Sequence, residues 1–110
     1  MKRGEVWRVR LPATGGHTQA GERPAVIVQN DKFSQLPTVL LVPFTSRMAA
    51  SRFPGTLVVQ PDGGNGLTSP SVALVFQVSV QDKRSLVSRL GTIDDATLAQ
   101  ISRLLSQLMN

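Results

Sequence analysis

All nine glycines and all seven prolines of this chain lie before Ile93, and at Ile93 the apolar residues change period. Ile93, Leu98, Ile101, Leu104, Leu105, Leu108 and Met109 recur at helical spacing. Upstream, no stretch free of Gly and Pro carries that spacing. Short apolar or alternating runs are instead cut off by turn residues, which is the signature of strands. The chain is thereby confined to one architecture: several short strands, then one amphipathic helix. Thr92 or Asp94 can cap that helix, and Asp94 and Asp95 suit the positive end of its dipole.

The runs fall at 4–11, 25–28, 38–44, 56–60, 71–80 and 86–90. In the first, Trp7, Val9 and Leu11 share one face, and Arg8 and Arg10 the other. The run 25–28 is continuously apolar, which predicts burial on both faces, with Pro24 as a first strand residue. Pro43 predicts an edge or a bulge near the end of the third strand. Asp62-Gly63-Gly64-Asn65-Gly66 is the strongest turn signal. The run 71–80 reads as the longest strand. Val72, Leu74, Phe76, Val78 and Val80 form its core face, and Ser71, Ala73, Val75, Gln77 and Ser79 a face with room for a ligand or a partner strand. Five to seven strands and a terminal helix predict a mainly β fold, a small, strongly curved antiparallel barrel or half-barrel whose open end the helix covers. At 110 residues, one domain spanning 1–110 is expected.

The formal charge is +5 although only 17% of residues are charged, so the basicity reflects scarce acids. Such a surface favours polyanions, nucleic acid being the commonest. With no cysteine and one histidine, the chain has no disulfide, no thiolate or His-rich metal site and no cysteine nucleophile. Neither a signal-peptide core nor a membrane-spanning apolar run is visible, and a soluble, cytoplasmic protein is expected. The seven carboxylates are scattered, GGNG lacks the Gly-Lys-Ser/Thr of a phosphate-binding loop, and the serines of GLTSPS lack a nucleophile-elbow pattern.

What remains is Arg23, Thr45, Ser46, Arg47, His17, Gln19 and Gln77. Taken singly, each has an ordinary reading: a solvated arginine, a turn cap, a loop histidine, an amide paired to backbone. Arginine stays protonated at any working pH, so only His17 brings an ordinary proton-transfer group. That set suits a reaction whose substrate supplies its own nucleophile. RNA does so, because its 2′-OH can attack the adjacent phosphorus; the protein then has to align the backbone and stabilise the developing charge.

Together, the opening RGEVWRVRL, the loop TGGHTQAGERPAVIVQND, the segment VPFTSR and the helical ending resemble the MazF/PemK family of bacterial toxin endoribonucleases, over almost the whole chain. The G-x-x-Q-x-G-x-R-P stretch that ends at Pro24 is the most specific part. The resemblance implies an SH3-like barrel of the CcdB/MazF/PemK type, a homodimer, and metal-independent cleavage of single-stranded RNA that leaves a 2′,3′-cyclic phosphate and a 5′-OH. No cofactor or metal is implied. A cognate antitoxin with an acidic, disordered segment is implied as partner. Arg23 matches the family's acid or phosphorane stabiliser and Thr45 the threonine paired with it, and these are the expected catalytic residues. His17, Gln19, Ser46, Arg47, Arg52, Ser71 and Gln77 are the expected substrate-binding residues. Two departures from the pattern involve three positions: Thr18 stands where members often have Glu, and Leu74 and Phe76 stand where the Kid-like branch has an arginine and an aspartate. One rival is a gyrase poison of the CcdB type, which relies on a tryptophan near the C-terminus; this chain ends LLSQLMN and has only Trp7. The other is a non-catalytic nucleic-acid-binding barrel.

Overall fold

The computed structural model describes residues 1–11 and 21–110. His17 and Gln19 lie outside the described residues. The strands are β1 (Glu5–Leu11), β2 (Gly21–Ile27), β3 (Thr38–Thr45), β4 (Thr56–Val59), β5 (Ser71–Leu74), β6 (Ser79–Asp82) and β7 (Leu86–Thr92), and the helix α1 (Asp95–Met109) follows. Every pairing is antiparallel, in the order β4-β5-β3-β2-β1-β7, with β6 also on β3. The fold is mainly β with one C-terminal helix, as the change of period predicts.

β2 is buried on both faces because the sheet separates two apolar clusters. Val26 and Val28 join Val6, Val42, Phe44, Val75 and Ile101 on one side. Ala25 and Ile27 join Val9, Val39 and Leu41 on the other, with Trp7 and Leu86 at the margin. The helix covers the first cluster with Ile101, fully buried, and the half-buried Leu98, Leu104 and Leu105. Asp94 caps it, its carboxylate accepting the Thr97 N–H at 3.3 Å. Leu108 and Met109 do not join the buried stripe; they are exposed.

Two proline expectations need adjusting. Pro24 is the fourth residue of β2, since pairing with β1 already begins at Gly21. It is tolerated because β2 pairs with β3 only from Ala25 onward, leaving one flank of Pro24 open. Pro43 is buried within β3, with β2 beside it. On the other flank of β3, β6 pairs with residues up to Leu41 and β5 from Phe44, and Pro43 falls in the gap.

That gap also explains why 71–80 is not one strand. From Phe44 back to Leu41 the β3 chain moves three residues, whereas its partner moves six, from Ala73 to Ser79. The excess is the 3-10 turn Val75–Gln77, which bends the chain as a bulge does. The predicted faces are lost accordingly. Ser71, Val72, Ala73 and Leu74 are all buried, because β5 lies between β3 and β4. Phe76 and Val80 are exposed.

β4 and β7 are the open ends of the main strand order, and the predicted turn after β4 links them. The Thr92 N–H of β7 donates to the Gly64 carbonyl at 2.9 Å. Gly91 allows this contact, since a Cβ there would run into that carbonyl oxygen. Asp62 Oδ1 accepts the N–H groups of Gly64 and Asn65, each at 2.8 Å. Asn65 is 1% exposed; its amide donates to the Gln60 carbonyl and accepts the Leu67 N–H. Opposite Thr92 in the β1–β7 register, Glu5 receives the Lys2 N–H and the Trp7 indole N–H and pairs with Arg89 of β7.

Asn65→Ala removes both partners of a buried loop and should lower unfolding free energy by about 1–3 kcal/mol, with unchanged urea m-value. Unaltered stability would show that the loop does not tie the open edges. A second expectation concerns acid. Burial pushes the Glu5 pKa up, but the hydrogen bonds from Lys2 and Trp7, the N-terminal charge and Arg89 outweigh it, and the net shift is downward from 4.5. A depressed carboxylate stabilises the fold fully above its unfolded value. The contribution should fade as pH drops below about 4.5 towards the lower folded value. Glu5→Gln should flatten this part of the stability–pH curve.

Candidate active site

Beyond the Ala25–Pro43 pair, β2 and β3 separate: β3 turns aside to pair with β5 through Phe44 and Thr45, and the start of β2 stays with β1. The opening is a cleft of about 680 Å³. The start of β2 supplies Gly21, Glu22, Arg23 and Pro24 to one wall. The end of β3 and the 3-10 turn Met48–Arg52 supply Thr45, Ser46, Arg47 and Arg52 to the other. The 3-10 turn Val75–Gln77 adds Phe76 and Gln77, and the loop before β5 adds Thr68 and Ser69.

Seven of the sequence-predicted residues thus meet at one cleft: Arg23, Thr45, Ser46, Arg47, Arg52, Ser71 and Gln77. Gln77 arrives by a route the sequence reading misses, since the turn between β5 and β6, not strand alternation, carries it there. Ser71 is 6% exposed and its hydroxyl donates to the Ser69 carbonyl at 3.0 Å, so it braces the loop wall. Thr45 Oγ1 accepts the Arg47 N–H at 3.2 Å, the turn cap expected of it. Its own O–H remains a donor, so the cap and a role in the cleft are compatible.

Arg8, which stands opposite Pro24, also lines the cleft but was not singled out from the sequence. Its signal was present in the alternation of β1. Phe53, Phe76, Thr68 and Ser69 were missed as well, because loop and bulge geometry brings them in.

The electrostatics are one-sided. Arg8, Arg23, Arg47 and Arg52 line the cleft with one carboxylate, Glu22. Glu22 is engaged by Arg10, opposite it in the β1–β2 register, at 3.6 Å. Among the described residues no acid lies within ion-pair distance of the four cleft arginines. Also among the described residues, no three His, Cys, Asp or Glu side chains cluster as a metal site, and no helix is long and apolar enough to cross a membrane. Exposed Asp82, whose pKa the Arg84 side chain and N–H lower to about 2, is spent on that neighbour.

A small antiparallel barrel with guanidinium and hydroxyl groups around a cleft at its strand ends defines a β domain suited to binding polyanions. Residues 2–109 match the family described as PemK-like, MazF-like toxin of type II toxin-antitoxin system, and the chain belongs to that family. It is 31% identical over 105 residues to Endoribonuclease MazF of Staphylococcus saprophyticus, spanning 93% of this chain and 85% of that protein. Its fold is shared with MazF from Deinococcus radiodurans, at a TM-score of 0.79 and 23% identity over 99% of this chain and 96% of the other. It is likewise similar to a mycobacterial endoribonuclease solved in complex with its cognate antitoxin, with a TM-score of 0.72 and 23% identity over 99% and 92% of the two chains.

The cleft's charge has a direct test with a single-stranded oligonucleotide as probe. Affinity should fall with salt, log K changing by about 0.7 per phosphate held. Arg47→Ala and Arg52→Ala should each lower that slope by about 0.7. Slopes unchanged in both variants would place the phosphates elsewhere.

Proposed function

We propose that this protein is the toxin of a type II toxin–antitoxin pair and acts as a metal-independent, sequence-selective endoribonuclease on single-stranded RNA. The carrying observation is the separation of β2 from β3, which brings Arg23 and Thr45 into one arginine-lined cleft. In this reading the RNA supplies the nucleophile. Its 2′-OH attacks the adjacent phosphorus, the 5′-oxygen leaves, and the products are a 2′,3′-cyclic phosphate and a 5′-OH.

The attack adds negative charge to the non-bridging oxygens as the phosphorane forms. Arg23, at the mouth of β2, stabilises that charge or protonates the leaving oxygen. Thr45 donates its O–H to the scissile phosphate and orients it. Ser46, Arg47 and Arg52 hold flanking phosphates, and Gln77 binds the RNA beside them. His17 and Gln19, in the loop before β2, complete the substrate contacts, with His17 as an auxiliary base. Cleavage of messenger RNA stops translation and growth. Cytoplasmic location, a homodimeric state and an antitoxin whose acidic, disordered segment occupies the basic cleft belong to the same proposal.

Arg23→Ala should reduce cleavage of a long natural RNA by at least about 10²–10³-fold, the usual loss on removing one transition-state donor. Its circular dichroism and thermal midpoint should stay close to wild type. A folded variant that cuts at the wild-type rate would remove Arg23 from the mechanism. Replacing the ribose at a mapped cut site by deoxyribose should abolish cleavage in the presence of EDTA. Continued cutting there would exclude 2′-OH attack.

A further inference from the structure

The arginines of β1 and β7 are used unequally. Arg10 is engaged by Glu22 at 3.6 Å, and Arg89 by Glu5 at 3.4 Å. Arg8 is exposed and pairs with no carboxylate among the described residues, and the stretch 12–20 contains no Asp or Glu. Its cross-strand neighbours are Pro24 on β2 and Ser88 on β7, neither of which is charged. Its guanidinium is left for an anion from outside the chain.

The backbone under Arg8 is held on both sides. Towards β2 the register runs unbroken from Val6 opposite Val26 to Leu11 opposite Gly21. Towards β7 it shifts twice: the partner strand passes over Leu90 between Gly91 and Arg89, and over Val87 between Ser88 and Leu86. Trp7 and Arg8 are thus the two β1 residues between two bulges, which sharpen local twist and re-aim side chains. The extra residue Leu90 itself lines the cleft, and Gly66 packs on it so closely that a Cβ would run into its backbone.

Alternation separates Arg8 from Arg23. Arg8 stands opposite Pro24 and Arg23 opposite Val9, so the two belong to opposite faces of the β1–β2 ladder. Both line the cleft all the same, because β2 has no β3 neighbour before Ala25 and its flank is open there. Two guanidiniums on paired strands therefore border one space from two sides. Arg47 and Arg52 reach it from the turn after β3 instead.

The chemistry calls for two. Attack by the 2′-oxygen, once deprotonated, turns a singly charged phosphodiester into a doubly charged phosphorane. One guanidinium cannot offset both charges and also serve the departing oxygen. We propose that Arg8 is a second catalytic arginine, which holds the non-bridging oxygens of the scissile phosphate and offsets their growing charge while Arg23 serves the 5′-oxygen. The 2′-O–H bond breaks and its proton goes to His17 or to solvent. The O2′–P bond forms, the P–O5′ bond breaks, and the 5′-oxygen leaves with a proton from Arg23, which solvent replaces. The proposal rests on the RNA-cleavage reading and divides a role that reading gives to Arg23 alone.

The test compares single-turnover cleavage at one mapped site by wild type, Arg8→Ala, Arg8→Lys and Arg23→Ala. Each is given the ordinary RNA and an RNA with sulfur in place of the bridging 5′-oxygen. Sulfur departs without an acid, so this pair of substrates separates the two arginines. Arg8→Ala should lose about 10²–10³-fold in rate on both substrates, and Arg8→Lys less. Arg23→Ala should recover most of its loss on the sulfur substrate. Binding of an all-deoxy strand to Arg8→Ala should weaken by less than about tenfold, the order of a single phosphate contact. Folded Arg8→Ala that cuts like wild type overturns the proposal and leaves the nuclease reading in place. A defect confined to affinity, or a rescue by sulfur equal to that of Arg23→Ala, does the same. Where Arg8→Ala does not fold, Arg8→Lys carries the comparison: a loss that sulfur leaves unchanged supports the proposal, and a wild-type rate or a rescue overturns it. A wild type that cuts neither substrate removes the nuclease reading and this proposal together.

Discussion

The site depends on one constraint: β3 cannot keep the same neighbours along its length. On one flank it is paired with β6, then with nothing across Val42 and Pro43, then with β5. On the other it leaves β2 after Pro43. A proline offers no N–H to a ladder, so a gap in pairing is where a buried strand tolerates one. The bend admits a cleft between β2 and β3 and obliges the β5–β6 connection to take up three extra residues. Those residues, Val75–Gln77, deliver Phe76 and Gln77 to the cleft. One irregularity in one strand opens the hollow and furnishes part of its wall.

The open edges are secured by a different means. No strand pairing joins β4 to β7; the loop after β4 does so through Gly64, Asn65 and the side-chain-free surface of Gly91. A loop needs far less chain than another strand. It also leaves Gly66, Leu67, Thr68 and Ser69 along the cleft, so the residues that close the barrel also bound the site. The loop packs on β7 beside Leu90, itself part of the cleft lining. A change in that closure is therefore expected to reach the cleft geometry.

The sequence made the elements legible where a period or a turn carried them. The helix, with Asp94 of the two caps considered, the doubly buried run 25–28 and the turn 62–66 follow the local pattern. It misled where tertiary geometry overrode alternation. The run 71–80 has flawless strand parity, and the bend in β3 breaks it, because parity records one side chain's facing and carries no count of residues on the opposing strand. Leu108 and Met109 keep helical spacing yet are exposed, because spacing records a shared helix face and not what packs on it. Arg23, Thr45, Ser46 and Arg47, each ordinary taken singly and picked out by the family resemblance, line one cleft. Arg8 was hidden by looking like a solvated strand face and Phe76 by looking like core, and Phe53 lay in a loop with no signal of its own.

The composition of the cleft bears on what kind of catalyst it can be. Among the described residues its cationic groups are guanidiniums, its neutral polar ones hydroxyls and amides, and its one carboxylate is tied to Arg10. Apart from His17, which lies outside the described residues, such a set does little general acid–base work at neutral pH, and the proposed reaction would draw chiefly on alignment and charge stabilisation. Both depend on rigidity. Arg23 and Arg8 stand on paired strands, and Thr45 is held by its own turn hydrogen bond. Arg52 closes a 3-10 turn whose exit is fixed by the Phe53 N–H bonded to Ala50. In the proposed reaction the substrate would meet backbone positions already fixed by the fold, in a cleft whose surroundings are poor in acids.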